Sequence, residues 1–336
     1  MIGLEAVAKL AQVSSATASR ALSRPDKVAV DTRTRVLQAA EELGYQPNHL
    51  ASGLRKGKSR TIGVIISDIL NPVQAMLANG IQDAAAKSDY TVFLFNSDEE
   101  SEKERRALES LRGHMPQGLI IVPTPGAKTN LKLVPNLPTI ELDRASGLKN
   151  AHTVMVDNIG GTTLAMNHLI GLGHKRIAMI VGDFAISTAV ERHQGYREAL
   201  AHAGIPYRED LVLAGHHRED GGRSAAHKLL SKPPKQRPTA LFVGNNEMTV
   251  GAVLATRALG LRIPEDISIV GFDDSRWAIT MHPALSVVSQ PAYDLGYLAC
   301  ETLLGLLERH KTPNASSVRL STSFINREST APPRKI

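Results

Sequence analysis

The sequence predicts two kinds of structure in one chain: an N-terminal all-α helix-turn-helix head, then an α/β core of two doubly wound parallel-sheet subdomains. Three observations carry this. Residues 4–43 show helical apolar spacing broken by short turns; from Thr61 onward, short apolar runs alternate with longer amphipathic ones; and 336 residues are long for one domain. Charge follows the same division. Residues 1–60 hold ten Lys or Arg against five Asp or Glu, and residues 61–336 hold 29 against 28, so +5 of the net +6 lies in the first part. A local positive excess on a helical module is what a phosphate-binding surface needs, since counterion release supplies most sequence-independent affinity for DNA.

In the head, Leu4, Val7, Ala8 and Ala11 fall on one helical face, Gln12 and Val13 interrupt it, and Ser14 is placed to cap a second helix. Ala18, Ala21 and Leu22 turn towards the first helix. Ser15, Ala16, Thr17, Ser19 and Arg20 are then left outward, together with the cap Ser14, a short polar face suited to a major groove with Arg20 reaching a base edge or a phosphate. A third helix is expected over Asp31–Leu43, because Val36, Ala39, Ala40 and Leu43 follow i, i+3, i+4, i+7 spacing. Gly44 stops it, and Pro47 marks a fresh start.

Segments 7–22, 28–48 and 49–54 together resemble the head and hinge of the LacI family of transcriptional regulators, and the likeness continues through the whole chain. The resemblance implies a head over residues 1–46, a hinge helix over 47–58 and a periplasmic-binding-protein-like core over 59–330. It further implies that the hinge helix pairs with its dimer mate in the minor groove, where Leu54 wedges between base pairs while Asn48 and Arg55 contact DNA. So short a helix containing Gly53 is marginal in water and is expected to order on DNA. Gln12 stands where the family has a turn glycine, costing on the order of 1 kcal/mol if the position is left-handed.

In the core, strands are expected at residues 61–66, 91–95, 118–122 and 139–142, with helices at 73–87 and 102–114 between them. A second series reads as strands at 176–181, 240–243 and 268–272, with helices near 160–172, 192–203, 221–231 and 247–259. The two subdomains are expected at 59–158 plus 290–325 and at 159–289. The return to the first is placed at the last strand and helix, Ser286–Ser289 and Asp294–Arg309, since the family threads its chain across the cleft three times.

Ligands of open parallel sheets sit beyond the carboxyl ends of the strands. Ser67 follows the first strand, with Asn71 just beyond; Asp143 follows 139–142, Asn245 follows 240–243 and Asp273 follows 268–272, while Arg192 leads a helix. Carboxylates, amides and guanidinium groups that accept and donate in pairs suit adjacent hydroxyls, so this set points to a sugar, sugar acid or sugar phosphate as effector. By resemblance, Asp143, Arg192, Asn245 and Asp273 align with family effector-pocket positions. Each taken alone has a plainer role as a cap at a strand-to-helix turn. Trp277, the only tryptophan, stands past Asp273 and either stacks on a sugar face or packs at the cleft rim.

Phosphate-binding glycine loops, metalloprotease helices and nucleophile elbows are missing from the sequence, and the histidines lack metal-ligand spacing, so neither enzyme, cofactor nor metal is expected. The single cysteine, Cys300, cannot form an internal disulfide. No early apolar run follows a basic start and none approaches the roughly 20 residues of a membrane span, which favours a cytoplasmic protein without membrane contact. The expectation is a homodimeric regulator that binds a pseudo-palindromic double-stranded operator and represses a carbohydrate or sugar-acid operon under effector control. The rival is a sugar-binding protein without DNA function, which the basic head opposes.

Overall fold

Among the described residues the first unit has three short helices, and two of them end for a visible reason. The computed structural model describes residues 3–23, 27–45, 60–308 and 315–334; the expected hinge helix, with Asn48, Leu54 and Arg55, lies outside them. The chain divides into two compact units, Met1–Ser59 and Arg60–Ile336. In the first, α1 (Leu4–Leu10), α2 (Ser15–Ser23) and α3 (Val30–Glu42) close over Val7, Ala8, Ala11, Ala18, Ala21, Val36, Ala39 and Ala40. Small residues dominate this core, so the helices approach closely. Both α1 and α3 end in the same motif. Val13 donates its N–H to the Ala8 carbonyl and Tyr45 to that of Ala40, with a left-handed residue between. That residue is Gly44 after α3 but Gln12 after α1, at φ 59° and 53°. Gln12 therefore carries the strain that glycine avoids.

The second unit holds two six-stranded sheets. The first contains β1 (Thr61–Ile66), β2 (Thr91–Asn96), β3 (Gly118–Ile121), β4 (Thr139–Leu142), β5 (His152–Val156) and β11 (Ser317–Leu320), in the order β11-β5-β4-β3-β1-β2, all parallel. The second contains β6 (Ile177–Val181), β7 (Val212–Ala214), β8 (Ala240–Val243), β9 (Ser268–Phe272), β10 (Ser286–Ser289) and β12 (Ser323–Ile325), in the order β12-β10-β9-β8-β6-β7, where β12 alone runs antiparallel. Central strands such as β1, β3, β6 and β8 are buried along their whole length, as strands covered on both faces must be. Helices α4 (Pro72–Lys87), α5 (Ser101–Arg112) and α12 (Ala292–Glu308) serve the first sheet; α7 (Asn158–Gly171), α8 (Ser187–His202), α9 (Glu219–Leu230) and α10 (Asn246–Ala258) serve the second. Two short helices, α6 (Ala127–Asn130) and α11 (Arg276–Thr280), complete the fold.

The chain crosses between sheets after β5, after β10 and between β11 and β12. This corrects the expected path in two places. The return to the first sheet begins after Ser289: β10 pairs with β9 and stays in the second sheet, and only α12 goes back, packing against α4. Residues 323–325, expected in the first subdomain, form β12 on the second, where Val288 pairs with Phe324. The segment beyond holds on there too, through Ser329 Oγ donating to Ile269 O at 2.6 Å and Ser268 Oγ to Ala331 O at 3.1 Å.

Candidate DNA-reading face and ligand cleft

On the first unit, Ser14 is the cap of α2. Its Oγ accepts from Thr17 N at 3.1 Å and lies 2.9 Å from Thr17 Oγ1, while its carbonyl accepts from Ala18 N. The side chains of Ser14 and Thr17 are therefore engaged with each other. Ser15, Ala16 and Arg20 are exposed and Ser19 half-exposed, so the outward face is the i, i+1, i+4, i+5 set that one helix side presents. Among the described residues Arg20 has no ion-pair partner. Arg35 donates to the Ala11 carbonyl at 3.3 Å and ties α3 to the turn.

On the second unit, polar side chains converge at the carboxyl ends of both sheets. From the first sheet come Ser67 after β1, Glu99 after β2, and Asp143 and Arg144 after β4. From the second come Arg192 on α8, His217 after β7, Asn245 after β8 and Asp273 after β9. Arg144 binds Glu99 bidentately, Nη1 to Oε2 at 2.6 Å and Nη2 to Oε1 at 2.7 Å, and the Glu99 N–H donates to the Ser67 carbonyl at 2.9 Å. Burial alone would push the Glu99 carboxyl up, but the charge and hydrogen bonds of Arg144 hold it at about 2. Arg192 is buried, donates from Nε to Asn158 Oδ1 at 2.8 Å and from Nη1 to the Gly244 carbonyl, and lies 3.6 Å over the Phe272 ring. Asp273 accepts from Asn246 N at 3.1 Å and from Gln290 Nε2.

Burial raises the carboxyls of Asp143 and Asp273 despite the arginines beside them. It also drives the His217 imidazole down to about 3, with Arg144 adding to the effect, so His217 is neutral at ordinary pH. Six non-glycine residues here are left-handed: Asp98, Glu99, Asp143, His216, His217 and Asp273. Such backbone costs of order 1 kcal/mol each and persists where surroundings over-determine it.

Not every residue read from the sequence joins the cluster. Asn71 accepts from Val73 N at 3.0 Å and is spent capping α4. Asn245 accepts from Met248 N at 2.9 Å as the cap of α10, yet its Nδ2 also reaches the His217 carbonyl at 3.3 Å, so it serves both roles. Trp277 is half-buried against the second core, and its Nε1 donates to Asn246 Oδ1 at 2.8 Å. Glu99 and His217 join the cluster without a motif of their own. Glu99 sits in the acidic run 98–100, and His217 reads as a satisfied surface or core histidine; the strand-end rule applied to β2 and β7 points to both.

Comparison with known proteins gives a consistent result along the chain. Residues 3–48 match the model for bacterial regulatory proteins of the lacI family, and residues 166–330 match the periplasmic binding protein-like domain. Catabolite control protein A of Priestia megaterium is 36% identical over 329 residues, 96% of this chain and 98% of that protein. The HTH-type transcriptional repressor PurR of Photorhabdus laumondii is 32% identical over 333 residues, covering 98% and 97%. Among solved structures, the lac repressor dimer bound to operator and the anti-inducer ONPF superposes with a TM-score of 0.87 at 27% identity, covering 98% of this chain and 99% of that one.

Proposed function

Since the chain belongs to the LacI family of bacterial regulatory proteins, we propose that this DNA-binding transcriptional repressor with a ligand-binding core governs a carbohydrate-use operon from the cytoplasm. Two copies act as a dimer on a pseudo-palindromic operator, each laying the Ser15, Ala16, Ser19 and Arg20 face of α2 in a major groove. Leu54, with Asn48 and Arg55, engages the minor groove between the half-sites. The effector lies between the two sheets against Ser67, Asp143, Arg192, Asn245 and Asp273. The observation that carries this reading is the convergence, at the ends of β4 and β9, of two buried carboxylates within electrostatic reach of one buried arginine. Paired acceptors and donors of this kind match vicinal hydroxyls.

The testing experiment is an operator titration with DNA upstream of the protein's own gene, run with and without a panel of sugars. One sugar is expected to change operator affinity tenfold or more, a coupling of about 1.4 kcal/mol or above. Arg192→Ala is expected to abolish that response while leaving operator affinity within twofold. DNA binding that no sugar alters, or a response that survives in Arg192→Ala, would overturn the assignment of the cleft.

A further inference from the structure

Much of each guanidinium group of the cleft is already bonded by the protein itself. Arg144 is nearly sealed, its side chain 6% exposed, and gives both terminal nitrogens to Glu99, itself 16% exposed. Arg192 spends Nε on Asn158, Nη1 on Gly244 and its flat face on Phe272. An anion entering here would find both terminal nitrogens of Arg144 taken by Glu99, and would meet the carboxyl groups of Glu99, Asp143 and Asp273. Placing a phosphate or carboxylate in such a site, stripped of water and without paired donors, is strongly unfavourable.

The polar atoms left over ask for a different ligand. Asp143 Oδ1 and Gln290 Oε1 are buried acceptors with no hydrogen-bond partner among the described residues, and Arg144 Nε is a buried donor with none. Arg144 Nε lies 3.7 Å from Asp143 Oδ2, too far for a good hydrogen bond and close enough for one bound group to touch both residues. A hydroxyl does this, accepting from Arg144 and donating to Asp143; an ionised phosphate oxygen can only accept. Resting on the reading of this cleft as the effector site, we propose that Glu99 determines ligand class: by occupying Arg144 it makes the cleft take neutral polyols and reject phosphorylated or carboxylated ones. Glu99 is thus a specificity-determining residue that acts through Arg144.

The test uses inorganic phosphate as probe on the full-length protein, with isothermal titration calorimetry and thermal unfolding at low ionic strength. Wild type is expected to show no saturable uptake at millimolar phosphate beyond what Arg144→Met shows. Glu99→Gln is expected to bind phosphate at least tenfold more tightly than wild type, with a matching rise in Tm, and Glu99→Gln/Arg144→Met to lose the gain. A folded Glu99→Gln protein that binds phosphate no better than wild type would overturn the proposal. If that variant does not fold, wild type still decides: phosphate uptake that Arg144→Met abolishes overturns the proposal, and its absence supports it. No DNA or sugar enters this titration, so its failure and a failure of the operator experiment are separate results.

Discussion

His217 shows how one residue makes the cleft sensitive to acid. Its ring is buried, its Nδ1 accepts from Asp183 N at 3.4 Å, and it faces the charges of Glu99, Arg144, Arg192 and Asp183. Burial, and then Arg144, depress the imidazole from 6.5 to about 3. Between those values the unfolded chain holds a proton that the folded chain refuses, so stability falls as pH drops through this range. Glu99, held at about 2 rather than 4.5, loses its contribution only below pH 4.5. The interval from pH 6.5 to 5 is therefore free of Glu99, although the half-buried rings of His168 and His193 and the buried ring of His174 titrate with the same sign. His217 alone is expected to remove about 2 kcal/mol by pH 5. Urea unfolding at a series of pH values checks this against His217→Asn, an amide that tolerates the left-handed backbone there. The variant should have a shallower pH slope by that amount, whatever its stability at pH 8; an unchanged slope would mean the ring titrates freely.

At the scale of elements, helix pairs are brought into backbone contact by glycines that face one another. A Cβ at Gly80 on α4 would stand 2.1 Å from the Tyr293 carbonyl oxygen, and one at Gly296 on α12 would stand 2.1 Å from that of Leu77. The second subdomain repeats the device between α9 and α10, where Gly222 and Gly251 lie against the backbone of Met248 and Glu219. Gly305, also on α12, has open space around its missing Cβ. Gly296→Ala should therefore cost about 1 to 3 kcal/mol by forcing the helices apart. Gly305→Ala should gain roughly 0.5 to 1 kcal/mol from helix propensity. Chemical denaturation of the two variants reads opposite signs from one substitution in one helix, and equal signs would refute the contact argument.

The same elements show what could be read from sequence. Strands β1, β3, β8 and β9 are mainly apolar runs buried along their length, and their limits follow from composition. β5 begins with His152 and Thr153, β7 has three residues, and β11 alternates exposed and half-buried at a sheet edge, so none presents such a run. Strand ends located Asp143, Asn245 and Asp273. Glu99 carries no signal beyond its place after β2, and its partner Arg144 lies 45 residues away in sequence.

Across the whole second unit, the two subdomains are joined by crossing segments and by bonds over the cleft. Glu191 on α8 pairs with Arg319 on β11 and accepts from Asn158, which accepts from Arg192, so one chain of bonds runs from the edge of the first sheet to the ligand cluster. At the mouth, Arg218 of the second subdomain holds Asp98 of the first, Nη2 to the carbonyl at 2.9 Å and Nη1 to Oδ1 at 3.2 Å. Both residues belong to the loops that carry left-handed pairs, 98–99 and 216–217. These contacts exist only while the subdomains stand together, so they bias the molecule toward the closed cleft. The pair is partly exposed, at 43% and 31%, which limits its worth to about 0.5 to 1 kcal/mol. Arg218→Ala is accordingly expected to weaken binding of the responsive sugar by about two- to fivefold at low salt, leaving binding to DNA without the sugar nearly unchanged. The difference should shrink as ionic strength rises and the wild-type pair is screened. Calorimetric titration at two salt concentrations checks this. A loss that is the same at both would mean that Arg218 acts by shape and not by charge, and equal affinities at low salt would mean the latch does not bear on closure.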